Sequence, residues 1–325
     1  MATGFAGSEI TPSVPGLTAA EKPSVQIAWS LDRSSDVGRA LLAAARRLRE
    51  AGIESPQLDA AVLLSFVLGV NKAWLYAHPT RRLSEVEIVR FEDLVRRRMR
   101  HEPVAYLVGY KPFYGLDITV DHRVLIPRPE TELLVDRVLA HVRHLVEEGV
   151  QPRVADIGTG SGAIAVALAV KVPGLIVYAT DISPAALEVA ERNIWRYGLG
   201  DQVHLLPGFL LDPLPEPVDI VVANLPYIPS DALATLLPQV RDFEPFLALD
   251  GGPDGLQVIR QLLESLAGPE GRAKLRAGGT VYLEIGADQG EAAAALVRAI
   301  LPAVEIDILP DYAGLDRILV LWFRD

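Results

Sequence analysis

The sequence predicts an α/β protein in which a doubly wound, mostly parallel, seven-stranded sheet follows a small helical unit. From residue 153 onward, short apolar runs typical of buried strands alternate with segments of helical spacing. This alternation predicts a parallel sheet with helices on both faces. Before residue 103, capped helical patterns predominate. A chain of 325 residues is long enough for two such units.

The composition excludes several classes of protein. Half of the residues are hydrophobic, so a disordered chain is excluded. No apolar run reaches about 18 residues and no basic start precedes an apolar core, so we expect a cytoplasmic protein without a membrane span or secretory signal. The absence of cysteine excludes disulfides, thiolate zinc sites and a cysteine nucleophile. We interpret His141 and His144 as a surface pair and expect no metal site. The net charge of -11 argues against stable binding of nucleic acid.

Four segments are predicted along the chain. Residues 1–33 are rich in Pro, Ser, Thr, Gly and Ala and are predicted to be a disordered lead. Residues 34–102 are predicted to form the helical unit. Residues 103–123, which are rich in β-branched and aromatic side chains, are predicted to form a β-hairpin linker. Residues 124–325 are predicted to form the α/β unit.

Boundary signals place the individual elements. In the helical unit, Ser35 is the predicted cap of the first helix, Pro56 begins the second, and Ser84-Glu85-Val86-Glu87 is a capping box. The helices predicted there cover residues 36–50, 56–68, 72–76 and 85–100. In the α/β unit, the predicted helices cover residues 130–147, 162–171, 184–197, 254–266 and 287–300, and the predicted strands cover 154–157, 175–180, 203–206, 218–223, 280–285, 304–309 and 317–322.

A glycine-rich loop follows the first predicted strand of the sheet, in Asp156-Ile157-Gly158-Thr159-Gly160-Ser161-Gly162. Alternate glycines allow a tight turn and a close approach of the backbone to a ligand, although they also fit the dinucleotide pattern. The Asp156 carboxylate would repel a pyrophosphate but suits a ligand with an ammonium and a sulfonium group, such as S-adenosyl-L-methionine. Asp181 lies about twenty residues further on, where an acid commonly accepts hydrogen bonds from ribose hydroxyls.

The motif Asn224-Leu225-Pro226-Tyr227 follows a buried strand. An amide nitrogen is a poor nucleophile, so methylating it requires orientation more than a strong base. The Asn224 side-chain oxygen and the Leu225 carbonyl can accept both hydrogens of a substrate amide, Pro226 restricts the backbone, and Tyr227 can pack on the planar group. Asn-x-Pro is also a common turn signal, so the interpretation depends on the glycine-rich loop upstream, whose strand is separated from the strand of the motif by two predicted strands.

Together these stretches resemble the release-factor glutamine N5-methyltransferases, a family of class I methyltransferases. The resemblance extends from about residue 37 to the C-terminus. It is carried by residues 103–107, 113–116, 126–132, 156–162, 224–227, 243–245, 248–252 and 283–286. Residues 126–132 combined with the Asn224 motif are highly specific for this family, whereas the glycine-rich loop is not.

The resemblance implies a Rossmann-like methyltransferase that uses S-adenosyl-L-methionine and releases S-adenosyl-L-homocysteine. The helical unit would recognise a class I peptide-chain release factor, and the α/β unit would methylate the glutamine of its Gly-Gly-Gln motif. By position, the cofactor would be bound by Asp156, Gly158, Thr159, Gly160, Ser161, Gly162, Asp181, Phe209 and Asn224, and the glutamine by Asn224, Leu225, Pro226, Tyr227 and Phe113, with Asn224, Pro226 and Tyr227 catalytic.

Leu225, Gly208, Phe209 and residues 314–317 depart from the family pattern. Leu225 stands where the family usually has proline, and because only its carbonyl is needed we expect activity with a looser turn. Gly208 stands where an acid is frequent, and Phe209 replaces the usual tryptophan beside the adenine. Residues 314–317 form a less basic version of a C-terminal motif.

Other functions fit parts of the pattern. A nucleic-acid adenine N6-methyltransferase methylates a similar amine, and Asn-Leu-Pro-Tyr resembles the motif of ribosomal-RNA adenine dimethyltransferases. The acidic net charge and residues 126–132 disfavour this alternative. A nicotinamide-dependent oxidoreductase and a non-catalytic binding module that keeps the fold are the remaining alternatives.

Overall fold

The computed structural model describes residues 30–324. Its first unit packs five helices around one hydrophobic core, to which Leu48, Leu63 and Phe91 contribute fully buried side chains. The predicted lead lies outside the described residues up to residue 29, but Leu31 is buried in this core, so the packed unit includes residues that were predicted to be disordered. The helices are α1 (Val37–Glu50), α2 (Pro56–Leu68), α3 (Lys72–Ala77), α4 (Glu85–Arg98) and α5 (Val104–Val108).

The helix boundaries follow the capping signals, with one correction. The capping box of α4 is confirmed, since Ser84 and Glu87 each bind the other's backbone N–H. The predicted cap of α1 is wrong: Asp36, not Ser35, accepts a hydrogen bond from the Arg39 N–H at 2.8 Å. A carboxylate at this position interacts favourably with the helix dipole, while Ser35 is buried.

The predicted hairpin linker begins later than expected. Its first residues form helix α5, because Leu107 and Val108 pack into the core of the helical unit. The hairpin itself consists of the antiparallel strands β1 (Tyr110–Phe113) and β2 (Leu116–Thr119). A high content of β-branched residues therefore did not decide the secondary structure, since contacts with the neighbouring helices override weak local propensity.

The second unit contains the predicted seven-stranded sheet. Its strands are β3 (Arg153–Ile157), β4 (Ile176–Asp181), β5 (Val203–Pro207), β6 (Val218–Ala223), β7 (Leu275–Glu284), β8 (Glu305–Pro310) and β9 (Asp316–Trp322). The order across the sheet is β5-β4-β3-β6-β7-β9-β8. Strand β9 is antiparallel to both β7 and β8, and the other neighbouring pairs are parallel. The helices of this unit are α6 (Thr131–Glu147), α7 (Ala163–Lys171), α8 (Pro184–Arg196), α9 (Pro238–Arg241), α10 (Gln257–Ala267), α11 (Pro269–Arg272) and α12 (Gly290–Ile300).

Each face of the sheet is covered by its own helices. Alternation along the strands sends Ile220 and Val222 of β6 into the core beneath α6, α7 and α8. The intervening Val221 and Ala223 enter the core beneath α10 and α12. This explains why the strand sequences read as continuous apolar runs: both of their faces are buried. Among residues 30–324, no helix combines the length and apolar composition that a bilayer crossing requires.

The strand order creates a switch point between β3 and β6. From β3 the chain proceeds to β4 on one side, whereas β6 pairs with β3 on the other. Open α/β sheets bind ligands in the crevice outside the carboxyl ends of such strands. Ile157 of β3 is paired with Ala223 of β6. The residues that follow them, Gly158 and Asn224, therefore lie side by side at the carboxyl ends of these two strands.

A buried ion pair within the helical unit involves an arginine, Arg98, that also reaches the α/β unit. Arg98 Nε donates to Asp59 Oδ2 at 2.7 Å, and both side chains are largely buried. The same guanidinium donates through Nη2 to Oε1 of Gln239, a residue of helix α9, at 2.9 Å. The Arg98 side chain therefore binds Asp59 within the helical unit and Gln239 in the α/β unit.

We expect Arg98→Ala to lower the free energy of unfolding by about 3 kcal/mol or more, because it leaves the Asp59 carboxylate buried without a cation. Arg97→Ala is the matched control, since the Arg97 side chain is 42% exposed and pairs with Glu102 at the surface; its loss should stay below about 1 kcal/mol. Urea denaturation of both variants measures the difference. Equal losses would contradict the assigned role of Arg98.

Candidate functional site

A cavity lies at the carboxyl ends of β3, β4 and β6, between the glycine-rich loop and the Asn224 motif. Further wall residues come from the segment that precedes and begins α6 and from the segment before α10: Arg123, Val124, Leu125, Pro127, Thr131, Pro245, Leu247 and Ala248. Of the residues predicted from the sequence, those that line the cavity are Gly158, Thr159, Gly160, Ser161, Asp181, Phe209, Asn224, Leu225 and Pro226. The two motifs that the sequence singled out therefore share one cavity.

The glycine-rich loop turns sharply after β3. The N–H groups of Gly158 and Thr159 both donate to the Thr180 carbonyl at 2.9 Å, which holds the loop against the end of β4. Gly158 has a φ of +71°, and a Cβ atom there would lie 3.1 Å from Cδ2 of Leu225. A glycine is therefore required both by the backbone conformation and by the close approach of the Asn224 motif.

Asp181 ends β4 and faces the cavity. Its Oδ2 accepts the Gly160 N–H at 2.9 Å, and its Oδ1 accepts the Ser183 N–H at 2.8 Å. Burial raises the pKa of Asp181, and these backbone N–H groups oppose that rise by stabilising the charge. Each carboxylate oxygen can accept a further hydrogen bond. The group is thus held in place and can still bind a pair of hydroxyls.

Asp156 occupies a different position from the one predicted. It is fully buried, lies beneath the loop and does not line the cavity. Its Oδ2 accepts hydrogen bonds from Thr159 Oγ1 at 2.6 Å and from the Ala165 N–H at 3.2 Å, so the carboxyl joins the loop to the first turn of α7. Burial raises the pKa of Asp156 to about 7. The expected direct electrostatic contact with a ligand is therefore replaced by support of the loop.

Gly162 and Phe113 also lie away from the cavity. A Cβ atom at Gly162 would lie 3.2 Å from Cβ of Ala190, so this glycine permits the close packing of the loop on α8. Phe113 is 1% exposed and belongs to the hydrophobic core that also contains Leu134 of α6. The expectation that Phe113 borders a substrate pocket is not met, because the hairpin directs its ring into the core.

The Asn224 side chain lines the cavity and is held by helix α6. Its Nδ2 donates to Oγ1 of Thr131, the first residue of α6, at 3.1 Å. This is the one hydrogen bond of the Asn224 side chain within residues 30–324, so its Oδ1 remains an available acceptor. Leu225 follows with its side chain buried. The Asn224 amide oxygen is thus free to accept a hydrogen bond, while its role toward a substrate stays a prediction.

Tyr227 lies behind the motif and does not line the cavity. Its carbonyl accepts a hydrogen bond from Gln289 Nε2 at 2.9 Å, and Gln289 Oε1 in turn accepts the Gly286 N–H at 2.8 Å. Burial, together with the nearby Glu284, raises the pKa of Tyr227 to about 12. The backbone of the motif is therefore attached to the loop after β7.

The sequence interpretation missed the residues that support the motif. Glu244 accepts the Ile126 N–H at 3.1 Å and pairs with Arg128 at 2.7 Å, which fastens residues 126–128 to the segment before α10. Thr131 binds the Asn224 side chain and lies close to Glu284. Glu244 and Glu284 fall within stretches that carried the family resemblance, and this was the available signal for them. Within the described part of the chain, no group of three or more His, Asp or Glu is placed to hold a metal ion.

This arrangement suits a nucleoside ligand beside a second group that carries an amide. The paired oxygens of Asp181 can accept hydrogen bonds from two adjacent hydroxyls, and Phe209, which is 39% exposed, offers an aromatic wall. The Asn224 amide lies in the same cavity. The residues present therefore fit S-adenosyl-L-methionine, and they also provide an acceptor for a substrate -NH2 group.

Comparison with known proteins agrees with both parts of the chain. Residues 39–109 match the family model described as the PrmC N-terminal domain, and residues 137–244 match that of ribosomal protein L11 methyltransferase (PrmA). In solved structures, the hMettl16 catalytic domain in complex with a MAT2A 3'UTR hairpin is 17% identical with a TM-score of 0.52, covering 76% of this chain and 84% of that one. At this identity the likeness concerns the fold alone.

Two relatives that this chain matches along most of their length have the same name. A protein of Moorella thermoacetica named release factor glutamine methyltransferase is 45% identical over 88% of this chain and 98% of its own length. A protein of Gloeobacter violaceus with the same name is 46% identical over 83% of this chain and 91% of its own length. With the shared cavity of the two motifs, these matches show that the chain belongs to the release factor glutamine methyltransferase family.

Proposed function

We propose that this protein transfers a methyl group from S-adenosyl-L-methionine to the side-chain amide nitrogen of the glutamine in the Gly-Gly-Gln motif of class I peptide-chain release factors. The names of its relatives support this substrate. The structural observation that supports it most is the Asn224 amide, held by Thr131 with its oxygen available in the cavity beside the glycine-rich loop. The reaction would take place in the cytoplasm, where release factors act.

In this proposal, Asn224 and Leu225 orient the substrate. The lone pair of an amide nitrogen is delocalised into its carbonyl, so the nitrogen becomes nucleophilic only as it turns tetrahedral. The Asn224 Oδ1 and the Leu225 carbonyl would accept its two hydrogens and favour that geometry. Pro226 restricts the backbone conformation of the motif that carries both acceptors. The displacement is direct: the nitrogen–carbon bond forms as the carbon–sulfur bond breaks, without a covalent intermediate on the enzyme, and one of the two amide protons is then lost to water.

The cofactor would be held by the other half of the cavity. Asp181 would accept hydrogen bonds from the ribose hydroxyls, Phe209 would lie against the adenine, and residues 158–161 would approach the remainder through their backbone. When bound, S-adenosyl-L-methionine supplies a methyl carbon on a positively charged sulfur. The product is S-adenosyl-L-homocysteine.

A cleft between the helical unit and the α/β unit supports docking of a protein substrate. It is lined by residues of both units, among them Leu58 and Lys72 of the helical unit and Arg128, Gln239 and Glu244 of the α/β unit. Because Arg128 lies between Pro127 and Thr131, which line the cavity, a chain bound in this cleft would lead towards Asn224. We propose that the release factor binds there and that nucleic acid is not a stable partner, given the net charge of -11.

The direct test is mass spectrometry of a release factor co-expressed with this protein. The expected result is the mass of one added methyl group on the glutamine of the Gly-Gly-Gln peptide. Methyl label that appears in RNA instead of the release factor would favour the adenine alternative. Tight binding of NADH without affinity for S-adenosyl-L-homocysteine would favour an oxidoreductase.

We expect Asn224→Ala to lower kcat about 100-fold, because removing one preorganised polar group at a reacting centre has an effect of this order. Its affinity for S-adenosyl-L-homocysteine, measured by calorimetry, should fall much less than kcat, since the contacts attributed to Asp181 remain. Methyl transfer at the unaltered rate would remove Asn224 from the mechanism.

We expect Asp181→Ala to weaken the binding of S-adenosyl-L-homocysteine at least tenfold, because hydrogen bonds to a charged group contribute about 1.5–3 kcal/mol. Affinity for the release factor, measured separately, should change much less. The exposed Asp201 provides the matched control, and Asp201→Ala should leave both affinities unaltered. Similar losses for the two ligands in Asp181→Ala would contradict the assignment.

A further inference from the structure

Glu284 is a buried acid that the proposed mechanism does not use. It is the last residue of β7, and because Ala223 pairs with Leu283, it lies beside Asn224 at the edge of the sheet. Its side chain is 1% exposed, and neither carboxylate oxygen has a hydrogen-bond partner of standard geometry within residues 30–324. Burying such a group without partners is costly, so its presence beside Asn224 requires an explanation.

Titratable groups from three segments surround this carboxyl. Burial raises the pKa of Glu284 to about 7, and the Thr131 hydroxyl opposes that rise because it lies close enough to favour the ionised form. Glu284 therefore changes its charge near neutral pH. The other titratable groups that face it are Arg317 on β9, Arg128 and Glu130 before α6, and Tyr227 in the loop after β6.

We propose that Glu284 is a positioning residue that acts through the Thr131 hydroxyl to hold the Asn224 side chain with its oxygen towards the cavity. The proposal rests on the function proposed above. Thr131 Oγ1 already accepts a hydrogen bond from Asn224 Nδ2 at 3.1 Å. A hydroxyl has a single proton, and a neighbouring carboxylate attracts it. When that proton points at Glu284, the Thr131 hydroxyl can only accept a hydrogen bond from Asn224. The Asn224 Nδ2 must therefore face Thr131, and its Oδ1 must face the cavity.

Protonation of Glu284 removes this constraint. A protonated carboxyl can donate to Thr131 Oγ1, and the Thr131 hydroxyl is then free to donate to the Asn224 oxygen. In that arrangement Asn224 turns its -NH2 group to the cavity, where it meets the -NH2 group of the substrate. Two donors that face each other cannot form a hydrogen bond, so the substrate amide is no longer oriented. Activity is therefore expected to fall as the pH decreases through about 7.

The test is the pH profile of kcat for the full-length enzyme and for Glu284→Gln, with release factor as substrate. In the unmodified enzyme, kcat should rise with pH through about 7. In Glu284→Gln, kcat should be lower by about tenfold or more at pH 8, and this rise should disappear, because glutamine cannot ionise. The exposed Glu291 provides a matched control, and Glu291→Gln should keep both kcat and the profile.

Variants of Thr131 test the proposed connection. Thr131→Ser keeps the hydroxyl and should keep the rise with pH, whereas Thr131→Val should lose it. Because both residues act on Asn224 in series, Glu284→Gln combined with Thr131→Val should be no slower than the slower single variant. Should Glu284→Gln fail to fold, as judged by its melting temperature, the two Thr131 variants still decide the question.

The outcomes separate this inference from the proposed function. Without methylation of the release factor by the unmodified enzyme, the proposed function itself fails. With methylation, an unchanged pH profile in Glu284→Gln, or multiplicative losses in the double variant, would overturn the role of Glu284 alone. Unaltered affinity for S-adenosyl-L-homocysteine in these variants shows that the cofactor half of the cavity is intact.

Discussion

The parallel pairing of β3 with β6 is the constraint on which the candidate site depends. Because Ile157 pairs with Ala223, the glycine-rich loop and the Asn224 motif leave the sheet side by side. The side chain of Leu225 then packs close to Gly158. A shift of one residue in this register would turn the side chains of β6 to the opposite faces of the sheet. The buried apolar faces of both strands thus determine the distance between the two halves of the cavity.

Around this pairing, the polar side chains of the site are held by partners far away in the chain. Asn224 and Thr131 are 93 positions apart, and Glu244 reaches across 118 positions to the Ile126 N–H. Buried polar groups that are fully satisfied give a site a single arrangement, which a catalyst that works by orientation requires. Two acids of the site depart from this pattern in the described part of the chain: both oxygens of Glu284 and Oδ1 of Asp156 lack a partner of standard geometry.

Predictions succeeded where the signal was local or periodic. Short apolar runs between segments of helical spacing identified all seven strands of the sheet. The pair Ser84 and Glu87 identified the start of α4. They failed where tertiary contacts determine the secondary structure of a segment or the position of a side chain. Helix α5 was predicted as part of a hairpin, although its apolar residues pack on the helical unit. Phe113 was placed at a substrate pocket, although its ring is buried in the core of the α/β unit.

The sequence by itself determined the alternation of strands and helices, the position of both motifs at strand ends, and hence the family. These properties depend on residue spacing, which the linear chain contains. Only the tertiary structure decided that Asp156 supports the glycine-rich loop from below and that Thr131 holds the Asn224 amide. The physical reason is that the direction of a buried hydrogen bond depends on which donor or acceptor the fold brings within about 3 Å, and no spacing in the sequence specifies that partner.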